Sequence, residues 1–371
     1  MAPIKISLHP HMSTVLHPVS QCSEPARNES IRKGSGGTVF KFGVIGFGYW
    51  GPNVVRNLDQ LEGCTVAAVC DRSPTARQRV HQGYPQVKVL SQTAELISSA
   101  EIDAIAIATP VESHYELTKA ALQNGKHVFV EKPFTSDSNQ AEELINLAAA
   151  KNLQIMVDHT FLFTGAVRAI RQLLEEDALG QIYYYDSTRV NLGLFQDDVN
   201  VIWDLASHDL SIIDHLIKEA PEAVSAAGQA HLNGFEDVAF ITVYYPSKII
   251  AHINVNWLSP MKVRSTVIGG DKKMLVWNDL EAVEKVKVYD RGVDITSGGG
   301  LCDLPVNYRS GNIWAPQVER TEALKQALAY FIDCVSSDRT PFNDGAAGLR
   351  VVKLLEAANR SVQKRGAVVY L

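Results

Sequence analysis

Three short stretches of this chain pair reactive residue types with the spacings that chemistry needs. Gly46-Phe47-Gly48-Tyr49-Trp50-Gly51 is a G-x-G-x-x-G run, and Asp71 stands 20 residues past Gly51. The first glycine of such a run allows a tight turn, the second lets backbone approach a pyrophosphate, and the third lets a helix pack against a strand. An acid at that distance accepts hydrogen bonds from a cofactor ribose. Glu131-Lys132-Pro133 places an ammonium beside a proline that restricts it to extended backbone. Asp204 and His208 are four apart and share one face of an expected helix. A histidine takes a hydroxyl proton near neutral pH, a carboxylate one turn away orients its ring, and a lysine stabilises a developing alkoxide. Taken alone, the Asp204–His208 pair reads equally as a satisfied helix pair.

These residues need elements to hold them. Short apolar runs at 40–45, 65–70, 87–90, 103–108, 127–130 and 154–157 alternate with helical stretches at 50–61, 74–82, 93–98, 113–124 and 139–151. That alternation implies βαβ units and a doubly wound parallel sheet of the Rossmann type, α/β in class. The glycine run lies between the first strand and the first helix, where a helix N-terminus offers N–H groups and a positive dipole end to phosphates. Asp71 ends the second strand. A carboxylate there favours NAD, while Arg72 beside it leaves NADP open. Thr109-Pro110 and Glu131-Lys132 fall at strand carboxyl ends, where ligands sit in open α/β sheets. His114 opens the next helix. Residues 39–160 thus read as a dinucleotide-binding domain.

Residues 161–371 change texture. After a helix at 166–176 and a strand at 181–191 comes the helix at 203–218. Strand-like runs follow at 223–229, 238–245, 249–257, 262–268, 273–277 and 283–289, with a turn at Gly269-Gly270-Asp271, and helices at 323–336 and 346–364 close the chain. This predicts an α+β domain with a large, mostly antiparallel, open sheet. Arg189, Asn191 and Trp203 lie where substrate contacts are expected, and Arg189, Lys262 and Arg264 could meet a phosphate or carboxylate. The Tyr308–Gly311 loop could reach the site or a neighbouring subunit.

Composition narrows the rest. Of 371 residues, 46% are hydrophobic and 20% charged, which argues against a largely disordered chain. The net charge of −6 disfavours a nucleic-acid binder. No stretch reaches the roughly 20 apolar residues of a spanning helix. Cys22, Cys64, Cys70, Cys302 and Cys334 are widely spaced and odd in number, which suits unpaired thiols in a reducing, cytoplasmic setting. Residues 1–38, rich in Pro, Ser and His, read as a flexible extension. The His/Asp neighbours at 158–159, 208–209 and 214–215 follow no recognisable metal-site spacing, so no metal is expected.

The combination of GFGYWG at 46–51, Asp71, ATP at 108–110, His114, EKP at 131–133 and WDLASHD at 203–209 resembles the Gfo/Idh/MocA family of oxidoreductases, from about residue 40 to the end. The resemblance implies NAD(P)-dependent hydride transfer at a secondary hydroxyl of a sugar, inositol or nucleotide-linked sugar. It places Lys132, Asp204 and His208 at the family's catalytic positions and implies a homodimer or homotetramer paired through the open sheet face. Two other readings stay open: a regulator that binds NAD without turnover, and a redox-neutral relative that uses NAD transiently for elimination or glycoside cleavage.

Overall fold

The computed structural model describes residues 39–193, 195–295 and 306–371. The expected extension 1–38, Cys22 and Cys302 lie outside the described residues.

Six strands form the first sheet: β1 (Phe40–Ile45), β2 (Cys64–Cys70), β3 (Lys88–Leu90), β4 (Ala104–Ile107), β5 (His127–Glu131) and β6 (Ile155–Asp158). Their order is β3-β2-β1-β4-β5-β6, and every pairing is parallel. All four residues of β4 and all four of β6 are buried, as a sheet covered on both faces requires. The helices between them are α1 (Gly51–Asp59), α2 (Pro74–Gly83), α3 (Thr93–Ile97), α4 (His114–Gln123) and α5 (Ser138–Lys151). Ser73 caps α2 and Asp137 caps α5 through side-chain oxygens that accept main-chain N–H groups. By contrast, α1 begins without a side-chain cap. Its N-terminus faces the end of the sheet where the order reverses between β1 and β4, the position at which such sheets bind ligands.

Beyond β6 come α6 (Gly165–Glu175), β7 (Ile182–Leu192), α7 (Ser207–Leu216), β8 (Ala223–Gln229), β9 (Val238–Tyr244), β10 (Ile250–Asn256), β11 (Leu258–Gly270), β12 (Met274–Asn278), β13 (Val286–Ile295) and β14 (Val306–Trp314). Then follow α8 (Ala323–Ser336), α9 (Gly345–Gln363) and β15 (Val369–Tyr370). The second sheet runs β14-β13-β12-β11-β7-β10-β9-β8-β15 and is antiparallel except where β7 meets β10. The Tyr308–Gly311 segment, read as a loop from sequence, is part of the edge strand β14. Its Ser-Gly pair and polar residues hide the alternation that marks a strand.

The last two helices bind the halves together. Phe331 of α8 packs on Phe42 of β1 and Phe129 of β5, at 6.1 and 5.8 Å between ring centres. Before α9, Asn343 clasps β6: its Nδ2 donates to the Val157 carbonyl at 2.8 Å, and the Val157 N–H donates to the Asn343 carbonyl at 3.0 Å. These helices therefore cover the first sheet, and do not only close the second.

Candidate active site

At the first sheet's carboxyl edge, backbone does most of the shaping. Gly46 has φ +96°, and a Cβ on it would lie 2.4 Å from the Ala108 carbonyl oxygen at the end of β4. A Cβ on Gly51 would lie 2.1 Å from the Gly46 carbonyl oxygen. A Cβ on Gly48 would meet nothing within 4 Å. So the first and third glycines are required by the protein's own packing, while the second leaves open space outward, the space a pyrophosphate would take. Asp71 ties this turn down. Its Oδ2 accepts from the Phe47 N–H and its Oδ1 from the Ser73 N–H, both at 2.7 Å. Each oxygen keeps a lone pair for a ribose hydroxyl. Phe47 is buried, Tyr49 is exposed, and Arg72 is exposed beside Asp71. The uncapped α1, the open Gly48 and the anchored Asp71 fit a dinucleotide.

Along the same edge, Thr109 is partly buried and Pro110 exposed. His114 departs from its expected role as a cofactor contact. It is fully buried, with Nδ1 2.8 Å from the Pro133 carbonyl and Nε2 2.8 Å from the Thr109 carbonyl. It pins the turn after β4 to the turn after β5, where Lys132–Pro133 is a cis peptide.

Glu131 and Asp158 end adjacent strands in matched register. Asp158 already accepts from Thr160 Oγ1 at 2.7 Å and from Trp50 Nε1 at 3.3 Å. Glu131 has no such donors to its Oε1, which is buried without a partner. Burial first, and then the Asp158 charge, push its carboxyl well above the usual range.

The second half contributes one distorted helix. Residues Ile202–Ala206 form a π turn that runs into α7. Asn200 starts it, its Oδ1 accepting from the Trp203 N–H at 3.1 Å. Within the turn, the Asp204 carbonyl accepts from Lys132 Nζ at 3.0 Å, and Asp204 Oδ1 accepts from the same nitrogen at 3.2 Å. Asp204 Oδ2 accepts from Trp257 Nε1 at 3.1 Å. The carboxylate is therefore engaged by Lys132 and Trp257, and does not hold the His208 ring as the four-residue spacing suggested. A π turn lengthens the repeat, so residues four apart no longer stack as on an α-helix.

His208 sits edge-on to Phe161, ring centres 4.9 Å apart. Its Nδ1 is enclosed without a partner, whereas Nε2 is not enclosed. Burial first, and then Lys132 and Arg189, hold its pKa well below 6.5. The ring is therefore neutral at physiological pH.

Two expected substrate contacts are corrected. Trp203 is a core residue, 8% exposed. Arg189 is 5% exposed and paired with Asp209 on α7, Nε to Oδ2 at 2.7 Å and Nη2 to Oδ1 at 3.3 Å. Asn191 is half-buried near the end of β7. Sequence reasoning missed Phe161, Asp158 and Trp257. Each has a partner far along the chain (Phe161 with His208, Asp158 with Trp50, Trp257 with Asp204), and no local pattern marks it.

A parallel sheet with an anion-ready glycine turn, whose Lys132 contacts Asp204 on the helix that bears His208, defines a dinucleotide-dependent oxidoreductase fold. The comparison with known families agrees. The profile described as "Oxidoreductase family, NAD-binding Rossmann fold" of GFO/IDH/MocA matches residues 40–159, and the GFO/IDH/MocA C-terminal domain matches 167–276. The chain belongs to this family and is an NAD-binding oxidoreductase. It is 26% identical over 322 residues to UDP-N-acetylglucosamine 3-dehydrogenase of Acidithiobacillus ferrooxidans, covering 84% of this chain and 93% of that protein. It is 24% identical to the NADP(+)-linked scyllo-inositol 2-dehydrogenase of Bacillus subtilis, covering 89% and 95%. The solved structure of the Acidithiobacillus ferrooxidans dehydrogenase superposes with a TM-score of 0.72 at 23% identity, covering 87% of this chain and 98% of that one, a likeness of fold. Among the described residues no helix is long and apolar enough to cross a membrane.

Proposed function

We propose that this protein oxidises a secondary hydroxyl of a sugar-like polyol, or reduces the matching ketone, with NAD. The observation that carries this reading is the Lys132–Asp204 contact, which joins the cofactor edge of the first sheet to the helix bearing His208. When bound, NAD supplies the hydride acceptor. Gly46, Gly48, Gly51 and Asp71 would hold its phosphates and ribose, with Thr109, Pro110, Trp50, Tyr49 and Glu131 along its path. The Asp71 carboxylate disfavours a 2′-phosphate, hence NAD over NADP. His208 accepts the hydroxyl proton at Nε2. Lys132 stabilises the negative charge that forms on that oxygen. Asp204, itself held by Trp257, keeps the Lys132 side chain aimed at that oxygen.

The names of the relatives support a substrate among inositols, sugars and nucleotide-linked sugars. Three free cysteines among the described residues, Cys64, Cys70 and Cys334, suit a reducing compartment such as the cytoplasm. A homo-oligomer fits the outer face of the second sheet, where Tyr183, Phe240, Ile250 and Ile313 are exposed.

The test is formation of NADH from NAD+ with panels of inositols, aldoses and UDP-sugars. At least one panel should give turnover, and Lys132→Met should lower kcat/KM by about 10²–10³-fold. NAD+ binding with sugar release and no NADH would overturn this reading in favour of a redox-neutral reaction.

A further inference from the structure

Arg189 of β7 and Arg264 of β11 are directly opposite one another in antiparallel register. Like charges in that position are unfavourable, and these two share a single patch. Arg189 lies 4.4 Å and Arg264 5.7 Å from the centre of the Phe161 ring, against which His208 also packs at 4.9 Å. The nearby carboxylates do not balance the cations. Asp209 engages Nε and Nη2 of Arg189 and leaves Nη1 buried without a partner. Asp279 lies 3.6 Å from Arg264 and is shared with Lys285 at 3.3 Å. Among the described residues Arg264 donates no side-chain hydrogen bond, yet its side chain stays 35% exposed. Beside His208 there is thus an excess positive charge, a partly exposed guanidinium that Asp279 only loosely engages, and an orphaned buried donor.

From this arrangement we infer that the substrate carries an acidic group, a carboxylate or a phosphate, received by the Arg264 guanidinium, with the buried Arg189 adding positive charge behind it and making no contact of its own. The inference rests on the dehydrogenase reading and narrows its substrate from any sugar-like polyol to an acidic one. A guanidinium fork matches either group in a bidentate geometry. Seating an anion there relieves the repulsion between the two arginines. It also offsets positive charge that disfavours the imidazolium, so His208 becomes a stronger base only when the right substrate is in place. Phe161 supplies a flat apolar floor under both groups. A hydroxyl placed at His208 therefore leaves the neighbouring substituents of the same molecule close to the Arg264 fork.

The test is calorimetric titration of the full chain saturated with NADH. The ligands are D-glucose, D-glucuronate, D-glucose 6-phosphate and UDP-glucose, which separate carboxylate, phosphate monoester and diphosphate sources. At least one acidic ligand should bind about tenfold or more tightly than glucose. Arg264→Gln should abolish that preference, and Arg264→Lys, which keeps the charge without the fork, should retain part of it. Equal binding of glucose and all acidic ligands would overturn the inference, as would a preference that survives Arg264→Gln. A wild-type protein that binds no NADH would overturn the dehydrogenase reading as well, and that failure is visible before any sugar is added.

Discussion

The two edges that meet at the site are built in different ways. At the glycine turn, main chain makes the surface: Gly51 and the Phe47 N–H are held by neighbours along the same βαβ unit, and Gly46 by the main chain at the end of the adjacent strand β4. Around α7, side chains make it: Lys132, Trp257, Arg189 and Phe161 arrive from four other elements or turns. A backbone site tolerates change in most side chains but not a Cβ in the wrong place. A side-chain site tolerates main-chain variation but not the loss of one charged partner. Binding of a common cofactor suits the first design, and discrimination among substrates suits the second.

The sharpest way to break this contrast is Arg189→Met. It leaves Asp209 buried and unpaired, so a loss of about 3–5 kcal/mol is expected in denaturant unfolding. An unchanged midpoint would mean that the side-chain site is less interdependent than described. The next comparison sets two glycines of one turn against each other. Gly51→Ala should cost about 1–3 kcal/mol, because its Cβ would collide with the Gly46 carbonyl. Gly48→Ala should fold as stably as wild type but bind NADH about tenfold or more weakly, since only the cofactor's space is filled. Unfolding midpoints and NADH fluorescence titrations separate the two.

The last comparison concerns pH. His159 is buried, with neither ring nitrogen partnered, and burial lowers its pKa to about 3. His215 is lowered to about 4, again mainly by burial. Both folded values lie below the unfolded value of about 6.5. Between these limits the unfolded chain binds more protons, so stability falls as pH drops from about 6.5 toward 3. His159→Gln should flatten that slope, read as the shift in unfolding midpoint between pH 7 and pH 5. A slope unchanged by the substitution would remove His159 from the account.

The same contrast explains what could be read from the residues in order. The six parallel strands and the glycine turn were legible because their apolar runs and glycine spacing are local patterns, even where, as for Gly46 against Ala108, the partner lies on the next strand. Asp71 and Lys132 were legible because strand ends are marked by the apolar runs before them. The burial of Arg189 and Trp203 was not, because whether a polar or aromatic residue faces a cleft or a core depends on elements packed against it from elsewhere. His114 looks like a first-turn surface residue until two main-chain carbonyls close on its ring. The π turn at Ile202–Ala206 has no sequence signature, yet it decides that Asp204 serves Lys132 and not His208.

The central claim is that the backbone site binds the cofactor while the side-chain cluster does the chemistry. It is tested most directly by following NADH appearance in a single turnover, alongside NAD+ binding, in wild type and His208→Asn. The expected result is similar NAD+ affinity in both proteins, with the first-turnover rate about 10²–10³-fold lower in the variant. A variant that forms NADH as fast as wild type, or one that loses NAD+ binding along with turnover, would contradict the claim.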